Sequence, residues 1–283
     1  MALTHVAKPQ SGTKGLSPSV MAKSLYRHRT LIRQIGRRDA VSKYKGSYLG
    51  IVWSLITPLL MLLVYAFVFS VIFKSRWGVS KDESHVSFAL TLFCGLLAFN
   101  VFAEVVSRAP TLVVGNPSFV KKVVFPLEIL PVAALFTATV NMLPGAAVLL
   151  IAWIAAYRSV SVTIWLAPLM LLPLFLLSLG AGWFLASLGV FIRDIAHPVT
   201  VFVQVLLFMS GIFYPISALP PRFQHLMLFN PLVSIIENIR RTALWSQWPV
   251  WRWWVVTTVA SFVVMQLAYY WFVRSKKAFA DVM

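Results

Sequence analysis

"RRDAVSKYKGSYLGIVWSLITPLLMLLVYAFVFSVIF", residues 37–73, joins a basic segment to an apolar one. Four cationic side chains occupy its first nine positions, and no charged residue occurs between Trp53 and Phe73. A helix needs about 20 predominantly apolar residues to cross the hydrocarbon core of a bilayer. Lys and Arg next to such a helix tend to stay on the cytoplasmic side. The stretch therefore predicts a membrane-spanning helix that is anchored at the cytoplasmic surface.

The composition of the whole chain predicts the same class of protein. Of its 283 residues, 59% are hydrophobic and 12% are charged, whereas a soluble domain carries about 25% charged residues. The net charge of +17 does not indicate nucleic-acid binding, because the basic residues lie between the apolar segments. The single cysteine, Cys94, permits no internal disulfide. The sequence predicts an all-α integral membrane protein without a nucleic-acid partner.

Six apolar segments are candidates for membrane-spanning helices. The third of them contains Pro144 and Gly145, which predicts a kink or a helix in two parts. With six spans, 17 of the 25 Lys and Arg residues lie on the side that holds both termini. That side is predicted to be cytoplasmic, in the cytoplasmic (inner) membrane. The segments are residues 51–73, 86–106, 127–157, 164–191, 199–214 and 255–273.

The segments outside the spans differ in character. Residues 1–20 are polar and predict a disordered cytoplasmic tail, and residues 274–283 predict a short cytoplasmic tail. Residues 21–36 have an apolar and a basic face, which predicts an amphipathic helix on the membrane surface; a solvated basic helix is the alternative. The helix and a basic connector make up residues 21–50. Residues 216–248 are half-apolar but contain proline and charge, which predicts two short re-entrant helices between spans five and six.

Motifs for catalysis are missing from the sequence. It contains no phosphate-binding G-x-x-x-x-G-K-[ST], no H-E-x-x-H and no Cys/His cluster with metal spacing. The acidic residues Glu104, Glu128 and Asp194 lie at the ends of the predicted spans, as helix-end charges do. We therefore expect no enzyme activity and no cofactor or metal in this chain. A flippase driven by an ion gradient stays open as an alternative.

Aromatic residues on two spans are candidates for lining a pore. Tyr65, Phe69 and Phe73 are spaced i, i+4, i+8 and so share one helix face. A second set, Phe208, Phe213 and Tyr214, belongs to the fifth span. Rings can contact the faces of sugars without holding any group tightly. Ordinary packing against lipid or other helices is the alternative, and the spacing alone does not separate the two.

Three sequence blocks, in order, resemble the permease subunits of type 2 ABC exporters of bacterial polysaccharide. The first is "RDAVSKYKGSYLGIVWSLITPLLMLLVYAFVF", residues 38–69, and the second is "GNPSFVKKVVFPLEILPV", residues 115–132. The third combines "FIRDIAHPV", "GIFYPISALP" and "FNPLVSIIENIR", between residues 191 and 240. The resemblance covers roughly residues 25–275.

The resemblance implies a division of labour between subunits. Two copies of the chain would form a channel, and two copies of a separate ABC ATPase would bind ATP and Mg²⁺. The cargo would be lipid-linked O-antigen polysaccharide for lipopolysaccharide biosynthesis, with capsular polysaccharide or teichoic acid as alternatives. A small-molecule ABC exporter of the same fold is a further alternative. The membrane partners would be lipids and the lipid-linked glycan.

The resemblance also assigns roles within the transmembrane domain, residues 51–273. The coupling loop, residues 107–126, would dock on the ATPase, and residues 216–248 would form a gate on the far side. The basic residues near the interface helix would meet glycan or lipid head groups at the cytoplasmic entrance, or would only anchor the topology. The assigned residues are Asn116, Pro117, Phe119, Lys121, Lys122 and Phe125 for coupling; Arg33, Arg37, Arg38, Lys43 and Lys45 for the entrance; Tyr65, Phe69, Phe73, Phe208, Phe213 and Tyr214 for the channel; and Pro220, Asn230, Pro231, Glu237 and Arg240 for the gate.

Overall fold

The computed structural model describes residues 17–43, 50–68, 85–118 and 125–282, and over these ranges the chain is helical and has no strand. This confirms the all-α prediction. The α-helices, numbered in chain order, are α1 (Pro18–Arg27), α2 (Arg29–Ser42), α3 (Trp53–Tyr65), α4 (His85–Arg108), α5 (Thr111–Val114), α6 (Ile129–Tyr157), α7 (Ala167–Met170), α8 (Leu172–Phe191), α9 (Ala196–Phe208), α10 (Pro221–Leu228), α11 (Pro231–Ala243), α12 (Trp251–Ser275) and α13 (Phe279–Val282).

Four helical segments are long and apolar enough to cross a bilayer. They coincide with the second, third, fourth and sixth predicted spans. The apolar helix Trp53–Val68 is shorter, and the rest of the first predicted span lies outside the described residues. At 13 residues, α9 is also short for a span. The total of six spans therefore stays a prediction. The four segments are Val86–Arg108, Ile129–Tyr157, Ile164–Phe191 and Trp251–Ala278.

One helix, α4, lies at the centre of the fold. In its most apolar stretch 78% of the residues are buried, compared with 28–39% in the other three long segments. It packs against α3, α6, α8, α9 and α11. Leu92 and Val105, on α4, have no exposed surface. Because five helices pack on α4, its side chains can contribute to sites on several sides of the bundle.

Specific side chains link the start of α6 to two other helices. Trp183 on α8 is fully buried, and its indole packs edge-on against Tyr269 on α12 with ring centroids 5.0 Å apart. The Trp183 Nε1–H donates a hydrogen bond to the Glu128 carbonyl oxygen at 2.9 Å. The Glu128 carboxylate pairs with Lys276 at 2.8 Å. The start of α6 is thereby fixed to α8 and to the end of α12.

The N-terminal helices correct the prediction of one helix at residues 21–36. The helix begins at Pro18, since proline suits the first helical turn, and residues 1–16 of the predicted tail lie outside the described part. It breaks at His28, where φ is −99° and ψ is 14°. The His28 Nδ1–H donates to the Ser24 carbonyl oxygen at 2.9 Å and helps to end α1. α2 then continues to Ser42, six residues beyond the predicted end.

α2 lies directly on α6. The Thr137 hydroxyl donates a hydrogen bond of 3.1 Å to the Gly36 carbonyl oxygen. A Cβ atom at position 36 would lie 2.5 Å from the Phe136 ring and 3.1 Å from the Ala133 carbonyl oxygen. Only glycine allows this close approach without movement of the ring. The two helices therefore have a fixed register.

The segment between the fifth and sixth predicted spans contains two short helices, α10 and α11, as the sequence indicated. Each begins with proline at its first position, Pro221 and Pro231, where the missing N–H would have no helical partner. Their depth in the bilayer stays a prediction. Of the two predicted alternatives at Pro144, a kink or a helix in two parts, the second is wrong: α6 runs as one helix of 29 residues through Pro144.

Candidate functional site

A cleft of about 940 Å³ lies between α3, α4 and α6, and the end of α2 forms part of its rim. This volume is at the upper end of the range for small-molecule sites, about 300–1,000 Å³. The apolar part of its wall includes Pro58, Met61 and Leu97. The uncharged polar residues in its wall include Ser54, Thr57, Asn100, Ser107, Thr137 and Asn141.

Charged residues at the α2 end of the cleft form one network. The Arg108 guanidinium donates to the Asp39 carboxylate at 3.0 Å and lies 3.8 Å from Glu104. The Asn141 amide donates to Glu104 at 2.9 Å, and Arg38 lies 3.4 Å from Asp39. These groups are partly exposed, where a single ion pair contributes about 0–1 kcal/mol. The network thus orients α2, α4 and α6 more than it stabilises them.

The same network borders the predicted coupling loop. Asp39 and Arg108 also line a pocket of about 160 Å³, together with Asn116 and residues of α5. The Asn116 amide donates to the Leu112 carbonyl oxygen at 3.0 Å. The Asp39–Arg108 pair therefore lies between the large cleft and the chain that follows α5.

On the other side of the bundle, a buried arginine holds α11 in place. Arg240 is 1% exposed. Its guanidinium donates to three backbone carbonyl oxygens, those of Thr91 at 3.1 Å, Gly211 at 3.0 Å and Ile212 at 3.1 Å. Gly95 on α4 leaves room for this group, since a Cβ atom there would collide with the guanidinium. Arg240 thus joins α11 to α4 and to the turn after α9.

Glu237 accompanies Arg240 on α11, with a carboxylate oxygen 3.8 Å from the guanidinium. Burial raises the pKa of Glu237, whereas Arg240 and Arg241 oppose this rise. Burial lowers the pKa of Arg240 to about 10, against the opposing effect of Glu237, which leaves the guanidinium charged at neutral pH. The buried cation is thus satisfied mainly by backbone carbonyl oxygens, with one carboxylate nearby.

The start of α11 is bound to the same turn. The side-chain oxygen Oδ1 of Asn230 accepts a hydrogen bond from the Leu232 N–H at 3.0 Å and caps the helix. Its amide nitrogen donates to the Met209 carbonyl oxygen at 2.9 Å. Asn230 and Arg240 therefore attach both ends of α11 to residues 209–212, and the helix and the turn should move as one unit.

The predicted coupling residues are only partly described. Asn116 lies beside the small pocket, and Pro117 and Ser118 after it are helical. Phe125 packs against two buried clusters that include Leu130 and Ile32. Phe119, Lys121 and Lys122 lie outside the described residues. Their coupling role stays a prediction.

The predicted entrance residues are brought to one surface. Arg33, Arg37 and Arg38 are exposed on α2, and Lys43 lines the rim of the large cleft. Lys45 lies outside the described residues. Their exposure is compatible with contact to glycan or lipid head groups and with anchoring of the topology alone, so the entrance role stays a prediction.

Of the predicted channel residues, Tyr65 on α3 and the three at and just after the end of α9 lie within the described chain. Tyr65 lines the cleft, whereas Phe69 and Phe73 lie outside the described residues. Phe208 and Phe213 stack with centroids 5.2 Å apart, and the Tyr214 hydroxyl donates to the Phe208 carbonyl oxygen at 2.7 Å. Phe208, Phe213 and Tyr214 thus hold the turn after α9 against the end of that helix. Of the predicted gate residues, Pro220 precedes α10 and Pro231 starts α11.

The sequence analysis did not identify the polar residues that supply hydrogen-bonding groups to the cleft. Asn100 and Asn141 lie within predicted spans, and two amides in apolar segments were the available signal. Glu104 was interpreted as a helix-end charge, and it does lie four residues before the end of α4. Its hydrogen bond from Asn141 joins it to α6 as well.

Comparison with known proteins places these features in a family context. A family model described as ABC-2 type transporter matches residues 30–244. The O-antigen export system permease protein RfbA of Myxococcus xanthus is 26% identical over 220 residues, which cover 77% of this chain and 82% of that protein. The protein of the same name from Klebsiella pneumoniae is 24% identical, over 74% and 78%. The polysialic acid transport protein KpsM of Escherichia coli is 23% identical, over 73% and 78%.

Proposed function

Because the chain belongs to the ABC-2 type transporter family, we propose that it is the channel-forming membrane subunit of an ATP-driven polysaccharide exporter. The proposed cargo is lipid-linked O-antigen polysaccharide, which crosses the cytoplasmic membrane. The observation that carries the proposal is the similarity to two O-antigen export permeases and one polysialic acid transport protein, over about three quarters of the chain. The large cleft, whose wall combines apolar side chains with hydroxyl and amide groups, supports a carbohydrate cargo.

The proposed topology has six spans with both termini in the cytoplasm. In this arrangement α3 and α9 begin the first and fifth spans, and α10 and α11 re-enter the membrane from the far side. The excess of Lys and Arg on the side of the termini supports the orientation. The basic face of α2 and the Asp39–Arg108 network then lie at the cytoplasmic surface.

The proposed complex contains two copies of this chain and two copies of a separate ATPase that binds ATP and Mg²⁺. The missing phosphate-loop motif supports a separate ATPase. The coupling loop would receive its movement, and the Asp39–Arg108 pair offers a path from that loop to the cleft. The α11 unit, fixed by Asn230 and Arg240, would form the exit gate.

A polymer needs a path with several weak contacts. A single tight site would hold one segment and stop the chain, whereas many weak sites let it advance. Hydroxyl and amide groups along the cleft, with the Tyr65 ring at its wall, offer contacts of that kind. The aromatic cluster of Phe208, Phe213 and Tyr214 would offer further ring contacts near the exit.

Deletion of the gene in its host tests this function. We expect long-chain polysaccharide to disappear from the cell surface and lipid-linked polymer to accumulate inside, with recovery when the wild-type gene is returned. Identification of the accumulated polymer would separate O-antigen from capsule and teichoic acid. An unchanged cell surface, with altered resistance to small amphiphiles, would contradict the proposal and favour a small-molecule exporter.

A further inference from the structure

The first observation is that polar side chains of the large cleft lie deep in the predicted membrane layer. Asn100 is exposed although α4 is the most buried helix. It lies eight residues before the end of α4 at Arg108, which corresponds to about 12 Å along the helix axis. Thr57, on α3, is also exposed and lines the same cleft. Polar residues at such depth face either the bundle interior or a water-filled cavity. Because Asn100 and Thr57 are both exposed in the cleft, they indicate that water enters it.

The second observation is that the charges of the cleft are largely paired with one another. Arg108 lies between Asp39 at 3.0 Å and Glu104 at 3.8 Å, and Glu104 also accepts the Asn141 amide. Lys43 is a further cation of the wall, at the rim. An anion such as a phosphate would favour a cation that is not already bound to carboxylates. The inner wall instead offers hydroxyl and amide groups, which suit an uncharged, hydroxyl-rich ligand.

The third observation is the mixture of surfaces. Apolar side chains such as Pro58, Met61 and Leu97 alternate with the polar ones, and the rings of Tyr65 and Phe93 belong to the same wall. A sugar ring has hydroxyl groups at its edge and C–H groups on its faces. Such a ring can satisfy the hydroxyl and amide groups of the wall and cover its apolar part at the same time.

From these observations we propose that the cleft between α3, α4 and α6 binds uncharged sugar units of the exported polysaccharide within a single protomer. The proposal rests on the proposed function, because it takes the polysaccharide as the cargo. Each protomer then holds a segment of glycan at the cytoplasmic side. The Asp39–Arg108 pair connects this site to the coupling loop, so a movement of that loop would change the shape of the site.

Cysteine labelling tests the site directly. The only natural cysteine, Cys94, is buried, so a cysteine introduced as Asn100→Cys is the accessible thiol. Inside-out vesicles with this variant and its ATPase are treated with a hydrophilic maleimide. Half of the vesicles come from a host that makes the glycan and half from a host that does not. At a glycan concentration about ten times the dissociation constant, labelling should slow roughly tenfold.

Leu267→Cys is the matched control, since Leu267 is 64% exposed on α12 and does not line the cleft. We expect little labelling there in either host. Equal labelling of Asn100→Cys with and without glycan would overturn the inference. Absence of labelling at position 100 in both hosts would also overturn it, because the cleft would then contain lipid and no water.

Export by position-100 variants gives a second readout. Asn100→Leu keeps the size but removes the amide, and Asn100→Ser keeps a hydrogen-bonding group. One lost uncharged hydrogen bond should weaken glycan binding about two- to tenfold, and surface polysaccharide should fall for the leucine variant more than for the serine variant. Equal export by both would overturn the site. If the wild-type chain itself exports no polysaccharide in these strains, the proposed function fails, which separates the two outcomes.

Discussion

Replacement of Arg240 by methionine removes the group that joins α11 to α4 and to the turn after α9. Methionine retains much of the aliphatic length but has no hydrogen-bond donor. In Arg240→Met the carbonyl oxygens of Thr91, Gly211 and Ile212 lose the donors that lie 3.0–3.1 Å away. The Glu237 carboxylate loses the cation at 3.8 Å.

The expected cost follows from burial. Each buried polar group left without a partner costs about 1–3 kcal/mol. The lost ion pair adds about 0–1 kcal/mol, because the Glu237 side chain is 35% exposed. Because Glu237 can take up a proton and the carbonyls can relax, we expect about 3–5 kcal/mol. With about 2–4 °C per kcal/mol for chains of 150–250 residues, the apparent Tm should fall by roughly 6–20 °C.

The assay is thermal unfolding of the detergent-purified chain, followed by the fraction that remains monodisperse after heating. Arg241→Met is the matched control, because it removes the same charge from the next position of α11. Arg241 makes one exposed hydrogen bond, to the Trp248 carbonyl oxygen at 3.1 Å. A loss of that kind should cost about 0.5–1.5 kcal/mol, so the control should shift the apparent Tm by only a few degrees.

Two results would refute this account of Arg240. One is an equal shift for Arg240→Met and Arg241→Met. The other is additivity with Gly95→Ala, whose Cβ atom would collide with the guanidinium. Since both changes disturb the same contact, the double variant should lose less stability than the sum of the two single variants.

Three further predictions concern the other side of the molecule. Lys121→Glu together with Lys122→Glu should abolish export while the chain stays folded, because both lysines belong to the predicted coupling loop; normal surface polysaccharide would contradict the coupling role. Gly36→Ala should destabilise the chain by about 1–3 kcal/mol through overpacking, since its Cβ atom would lie 2.5 Å from the Phe136 ring. In an unfolding assay, the double variant Gly36→Ala with Phe136→Ala should lose less stability than the sum of the two single variants. A loss equal to that sum would exclude the Phe136 contact as the cause. Tyr65→Ala should reduce glycan export more than Tyr65→Phe, because a ring surface in the cleft is proposed to contact sugar; equal export by both variants, measured on glycan gels, would remove Tyr65 from the path.

The elements that the sequence predicted are those governed by local composition. The uncharged stretch after Trp53 begins with an apolar helix that runs to Val68, and the second, third, fourth and sixth apolar segments become helices of spanning length. Pro221 and Pro231 begin α10 and α11 because proline favours the first helical turn. Such features depend on neighbours in the chain and can be read without knowledge of tertiary contacts.

The contacts that define the candidate site could not be predicted in this way. Asp39 and Arg108 are 69 positions apart, and their pairing depends on how α2 lies across the bundle. The partners of Arg240 are backbone carbonyl oxygens, which every residue possesses, so no residue type marks them. An amide within a predicted span, such as Asn100, signals a polar environment, but the cleft around it is visible only once α3, α4 and α6 are placed. The helix break at His28 could not be predicted either, because no proline or glycine lies next to it in the sequence.

ATP-dependent movement of glycan is the most direct test of the central claim. Inside-out vesicles that contain this chain, its ATPase and lipid-linked glycan would receive ATP, and the glycan protected from an impermeant oxidant would be measured over time. We predict that protection rises with ATP, does not rise with a non-hydrolysable analogue, and persists after a protonophore collapses the ion gradient. Protection that is lost with the protonophore while ATP is present, or that never appears, would contradict the account.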